Sequence, residues 1–317
     1  MGCYDDTTKE MIQEEIMREI AIKTNQLTKK YKSFVALDNA NITVYKDDVY
    51  GIVGRNGAGK TTLMKTITGL TNQTSGEYEI FSRKDKELKN QRRRVGCLIE
   101  NPAFFGNMTA YENLKYYCIQ KGITNNEKIS EVLDAVNLTY AANKKFKSYS
   151  LGMKQRLGIA LAILDDPDII VLDEPINGLD PIGISELRET FHRLNVERGI
   201  TILISSHILS ELYAVATRFV FIDQGKVIKE ITKEELNLEC QRCNVIRTNA
   251  VDEAARVVEK ILHVHDYKVI NDREIRIYSN EISRSELNRT LVEQGIDVDE
   301  IFETGIGLED YFKSLIA

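Results

Sequence analysis

The octapeptide Gly54-Arg55-Asn56-Gly57-Ala58-Gly59-Lys60-Thr61 constrains this chain more than any other stretch. It satisfies the pattern GxxxxGK[ST], and it sits where that pattern has physical meaning. The β-rich run Val49 to Val53 precedes it and the helix-forming run Thr62 to Thr68 follows it. The glycines let the backbone bend so that successive N–H groups face an anion. The N-terminus of the following helix adds its partial positive charge. In such a loop the lysine, here Lys60, reaches the β- and γ-phosphates of a nucleotide, and the hydroxyl of Thr61 ligates Mg²⁺. A strand, phosphate loop and helix in this order predict an α/β fold.

Two further stretches gain meaning from the first. Ile169 to Leu172 is a short, continuously apolar run of the kind that forms a buried parallel strand. It would deliver Asp173 and Glu174 beside the phosphate loop, Asp173 to hold Mg²⁺ directly or through water and Glu174 as the general base that polarises an attacking water. Alone, an apolar run ending in Asp-Glu is a weak sign; downstream of a phosphate loop it is a strong one. In Tyr149-Ser150-Leu151-Gly152-Met153-Lys154-Gln155-Arg156, small residues opening a helix again present backbone amides to an anion. By spacing alone, a plain helix N-cap by Ser150 is the better reading of that stretch.

The order of these pieces resembles the nucleotide-binding subunit of ATP-binding cassette (ABC) transporters, over about residues 20 to 235. Ser150 to Arg156 matches the family's signature motif, Asn177-Gly178-Leu179-Asp180 its D-loop, and His207 in Ser205-Ser206-His207 its switch histidine. Tyr31 matches the aromatic that stacks on adenine. Glu100, in Ile99-Glu100-Asn101-Pro102, stands where most members carry the Q-loop glutamine, and the signature reads Tyr-Ser-Leu-Gly-Met rather than Leu-Ser-Gly-Gly-Gln. Both departures, with Met108 to Leu114 and the C-terminal region, look like the bacitracin- and lantibiotic-type subunits. The resemblance implies a P-loop ABC cassette: a RecA-like mixed sheet core, an antiparallel β subdomain and a helical subdomain, followed by a small α+β domain. It implies ATP and Mg²⁺ as cofactors, with Lys60, Glu174 and His207 catalytic and Thr61, Asp173 and Glu100 around the metal. Nucleotide contacts would come from Tyr31, Gly54 to Thr62 (Thr62 included), and Ser150, Gly152 and Met153. The last three would belong to the opposite subunit of a head-to-tail dimer, and residues 100 to 110 would touch a separate membrane permease. Export of a peptide antibiotic or lantibiotic, from the cytoplasmic face of the cell membrane, is then the expected function. A soluble ABC ATPase acting on ribosome or DNA, and a transporter of other cargo, are the alternatives. Ribosome-acting members usually carry two cassettes and DNA-acting ones a long coiled-coil insertion, and neither pattern occurs here.

Composition agrees with these limits. The chain has 317 residues, enough for one large domain and a smaller one, and a net charge of −6 that argues against non-specific nucleic-acid binding. No apolar run approaches the ~20 residues that span a bilayer. The acidic, polar N-terminus does not read as a secretory signal. Five scattered cysteines suit a reducing setting; Cys240 and Cys243 form a lone CxxC read as structural, and a metal role for His263 and His265 is disfavoured. We expect three parts: an N-terminal extension, 1–22, holding a short amphipathic helix with Ile12, Ile16 and Ile20 on one face; the cassette, 23–235; and an α+β accessory domain, 236–317.

Overall fold

The computed structural model describes residues 18–100, 104–125, 127–279 and 282–316, and these divide into two compact units, one ending at Lys233 and one beginning at Glu234. The first unit opens with an antiparallel sheet. Its long strand β1 (Ile20–Tyr31) pairs with β2 (Phe34–Ala40), β3 (Thr43–Tyr45) and β5 (Ser75–Ile80). The expected N-terminal helix lies mostly outside the described residues, but its last turn is not helical. Ile20 opposes Tyr45 and Ile22 opposes Val44 across the sheet, and Ile22 is fully buried. Cross-strand packing of a β-branched side chain decides the conformation there over the helical spacing read from sequence.

The second sheet positions the chemistry. Its order is β10-β9-β4-β8-β7-β6, with β4 (Val49–Val53), β6 (Val95–Leu98), β7 (Ile169–Leu172), β8 (Thr201–Ser206) and β9 (Arg218–Asp223) parallel. Only β10 (Lys226–Thr232) runs antiparallel, joined to β9 through Gln224-Gly225. Strands β4, β7 and β8 are buried along their whole length, which is why they read as unbroken apolar runs. All three end on the same edge. The turns after β4, β7 and β8 therefore open side by side, the place where open α/β sheets bind ligands.

Helices α1 (Lys60–Ile67), α2 (Ala110–Lys121), α3 (Glu127–Ala135), α4 (Leu151–Ala162) and α5 (Pro181–His192) complete this unit. Helix α2 starts in a reciprocal capping box between Thr109 and Glu112 and stops at Gly122, whose φ is +74°. Helix α5 starts with Asp180 accepting from the Gly183 amide and Pro181 in its first turn. Helix α5 stops at His192, and Arg193 to Glu197 form a wider π-turn.

The second unit opens with helix α6 (Lys233–Cys240). It then runs β11 (Cys243–Arg247), α7 (Val251–Lys260), β12 (Tyr267–Asn271), β13 (Glu274–Ile277), α8 (Arg284–Glu293), β14 (Glu300–Thr304) and α9 (Leu308–Leu315). Sheet order β12-β13-β11-β14, all antiparallel, makes this a βαββαβ sandwich of the ferredoxin-like type. Ile246, Ile275 and Ile277 pack with Ala254 and Val258 of α7 and Leu287 and Leu291 of α8. The opposite face carries Cys243, Val245, Tyr278 and Phe302.

Candidate active site

The loop after β4 forms a cradle by necessity of its glycines. Gly59 has φ +109°, and a Cβ there would lie 2.6 Å from the Ala36 carbonyl oxygen. Gly57 has φ +81° with open space where a Cβ would point, so the loop's concave side is free. Between them Ala58 is buried, its amide bonded back to the Arg55 carbonyl while Asn56 faces solvent. The cleft above this loop is about 300 Å³. Tyr31, Phe34 and Ala36 wall one side, residues Arg55 to Thr62 form the floor, and Glu174 closes the far end. Tyr31 and Phe34 are both substantially exposed, with the Lys29 ammonium 4.9 Å from the centre of the Tyr31 ring, and both offer aromatic surface to a flat ligand.

The acids arrive as the run after β7 predicts. Thr61 Oγ1 donates to Asp173 Oδ2 at 2.6 Å, joining the phosphate loop to the end of β7. Lys60, almost wholly buried, donates to the carbonyls of Gly54 at 2.6 Å and Arg55 at 3.2 Å. Its Nζ also lies 3.0 Å from Glu174 Oε1. His207 Nδ1, on the turn after β8, lies 2.9 Å from Glu174 Oε2. Glu174 thus stands between the lysine of one motif and the histidine of another. It does so with a backbone φ of +48°, a conformation that costs a non-glycine residue on the order of 1 kcal/mol or more. Buried Glu174 Oε1 accepts no hydrogen bond. With open space at Gly57 and an oxygen of Glu174 held only by the nearby Lys60 ammonium, the cleft fits a group that brings a cation and water beside phosphate oxygens.

Two expectations sit elsewhere. Glu100 is exposed and bonded to Lys65 Nζ at 2.6 Å, not to Thr61 or Asp173; the lysine holds its carboxyl below the usual range. Ser150, Gly152 and Met153 do not line the cleft. Ser150 caps α4 by accepting from the Met153 amide at 3.3 Å, so the N-cap reading holds as geometry. Gly152 is buried beside Leu179 and Gly183, and a Cβ at Gly178 would meet Leu151 at 3.4 Å, so signature and D-loop pack on one another. Sequence reasoning passed over Phe34 and Ser205. An aromatic three residues past Tyr31 at a hairpin tip was the available signal for the first. Ser205 had been used only as context for His207, yet it bonds both acids. Among the described residues no cluster of three or more His, Cys, Asp and Glu side chains is arranged to hold a metal.

Comparison with known proteins agrees with this geometry. The ABC transporter family model matches residues 37–177. The bacitracin transport ATP-binding protein BcrA of Bacillus licheniformis is 44% identical over 296 residues, covering 93% of this chain and 97% of that protein. The lantibiotic transport ATP-binding protein SrtF of Streptococcus pyogenes is 43% identical over 209 residues, 66% of this chain and 90% of that one. Among solved structures, the ATP-binding cassette MJ0796, in a dimeric post-hydrolysis state bound to ADP and Pi, superposes with a TM-score of 0.59. It is 28% identical and covers 67% of this chain and 98% of its own. The chain is an ATP-hydrolysing cassette and belongs to the ATP-binding subunits of ABC transporters.

Proposed function

We propose that this subunit powers export of a peptide antibiotic of the bacitracin or lantibiotic kind through a separate membrane permease. One observation carries the reading: the similarity to the bacitracin transport protein extends over 296 residues, more than the first unit contains, and so runs into the second. The cassette MJ0796, by contrast, covers 67% of this chain. No helix among the described residues is long and apolar enough to cross a membrane, so the path for cargo is assigned to a partner and the subunit to the cytoplasmic face of the membrane.

The residues of the cleft divide the work. Tyr31 and Phe34 cover the base, while the amides from Arg55 to Thr62 hold the phosphates. Lys60 exchanges its bonds to the loop carbonyls for the β- and γ-phosphates. Thr61 and Asp173 would hold Mg²⁺, which when bound would offset the charge of the phosphates. Glu174 orients water and takes its proton, with His207 keeping the carboxylate aimed and reaching toward the γ-phosphate. Ser150, Gly152 and Met153, remote from the cleft of their own chain, serve the nucleotide of a second cassette in a head-to-tail dimer. Glu100 and the residues after it meet the permease.

The test is affinity capture of the tagged full chain from detergent-solubilised membranes of its native host. Co-purification of a protein with several apolar stretches of about 20 residues supports the reading. Recovery with ribosomes and no membrane protein overturns it.

A further inference from the structure

We infer that Ser205 is the residue that positions both acids at the end of β7. The inference rests on the ATP-hydrolysing reading above. Register places Leu172 beside Ile204, so Asp173 and Ser205 are the next neighbours on parallel strands. Ser205 is completely buried. Its Oγ donates to Asp173 Oδ1 at 2.7 Å and accepts from the Glu174 amide at 2.8 Å. An amide can only donate, so the hydroxyl proton must point at Asp173.

Each bond has a consequence. The first occupies Asp173 Oδ1 and leaves Oδ2 facing Thr61, which fixes the rotation of the carboxylate that would hold Mg²⁺. The second holds the peptide before Glu174 while that residue sits at φ +48°. Without the hydroxyl the Glu174 amide is a buried donor with no partner. The backbone then gains by relaxing toward ordinary φ, which would swing the carboxylate away from Lys60 and His207. The next serine is occupied differently: Ser206 Oγ accepts from the Ile208 amide and donates to Glu211.

The experiment compares Ser205→Ala and Ser205→Thr with wild type in the full chain. It measures kcat and KM for ATP, affinity for labelled ATP in EDTA, the Mg²⁺ concentration for half-maximal turnover, and thermal melting. Wild type must turn over ATP and Glu174→Gln must not; failure at that step strikes the site assignment and leaves the serine unaddressed by it. The expected result for Ser205→Ala is a kcat about tenfold lower, matching one lost charge-assisted bond, with labelled-ATP affinity in EDTA within about twofold of wild type. Its Mg²⁺ requirement rises several-fold, and Ser205→Thr, which keeps the hydroxyl, restores both. A wild-type kcat and Mg²⁺ requirement in Ser205→Ala overturns the inference. So does a parallel loss of kcat and EDTA affinity that Ser205→Thr fails to restore, which marks a packing role. Should the threonine methyl unfold its variant, the Mg²⁺ requirement of Ser205→Ala decides by itself. Should the alanine variant unfold, Ser205→Cys, a poor donor of similar shape, replaces it with the same expectations.

Discussion

Among the described residues, twelve non-glycine residues of the first unit hold a positive φ, Glu174 and Glu100 among them, and in the second His263 alone does. Buried polar groups divide the same way. Lys60, Ser205, Ser206 and Asp48 are buried in the first unit, and among the described residues of the second the one buried carboxylate, Glu274, lies between two arginines. The second unit is a regular βαββαβ sandwich whose apolar residues alternate as its strands require. At the phosphate cleft of the first unit the strained Glu174 and the buried Lys60 stand together, whereas in the second unit the strained His263 and the buried Glu274 are separate features.

Glu174→Gln tests this contrast with the largest effect. Removing the base is expected to lower ATP turnover by about 10³-fold while labelled ATP still binds, because the amide keeps the side chain's shape. Steady-state turnover near wild type would mean that the strained glutamate is not the base. Lys60→Ala comes next. It deletes a buried cation facing the phosphates, so ATP affinity should fall by about 10- to 100-fold in equilibrium binding. Normal affinity would show that the amides of the loop suffice.

What could be read from the sequence follows the same division. The phosphate loop, β4 and β7 were legible because each is a local pattern: glycines at set spacing, a β-rich run, a continuous apolar run. In the second unit a small α+β domain was legible. Strand β14 was not: Glu300-Ile301-Phe302-Glu303-Thr304 is short, carries two charges and takes its register from β11. That Asp173 and Glu174 come beside Thr61 could be read from an apolar run downstream of a phosphate loop, but that His207 joins them could be inferred only through resemblance, since that distance depends on strands ending together. Ser205 stayed hidden because nothing local distinguishes it from Ser206; only the parallel register places one beside Asp173 and sends the other to a helix start.

Leu287→Ala reaches the other side of the contrast. Leu287 is fully buried in the second unit's core, so its truncation should cost about 2–5 kcal/mol of that unit's stability in denaturant unfolding. ATP affinity should stay as in wild type. A matching loss of affinity would break the separation of the two units.

The smallest effects sharpen the contrast most, because the same substitution is expected to act with opposite sign in the two units. Glu230 on β10 accepts from Tyr50 Oη at 2.8 Å, and Arg218 Nε stands 3.7 Å away. Burial outweighs these partners and pushes the carboxyl above its ordinary range. A raised carboxyl binds more protons folded than unfolded. Its contribution to stability is therefore fullest at acid pH and falls as pH rises from the ordinary carboxylate value through the folded one. At pH 7 the ionised group is a net penalty. Glu230→Gln, which keeps an acceptor for Tyr50, should melt a degree or two higher at pH 7, under about 1 kcal/mol, with the gap closing near pH 4. Glu274 is more enclosed, its side chain 11% exposed against 24% for Glu230, and it is bonded to Arg276 Nε at 2.9 Å and Arg247 Nε at 3.4 Å. Glu274→Gln discards both charge-assisted bonds and leaves the two guanidinium groups poorly matched. It should lower the stability of the second unit by about 1 kcal/mol at pH 7. Melting curves in which both variants shift in one direction would show that the two units treat a buried carboxylate alike.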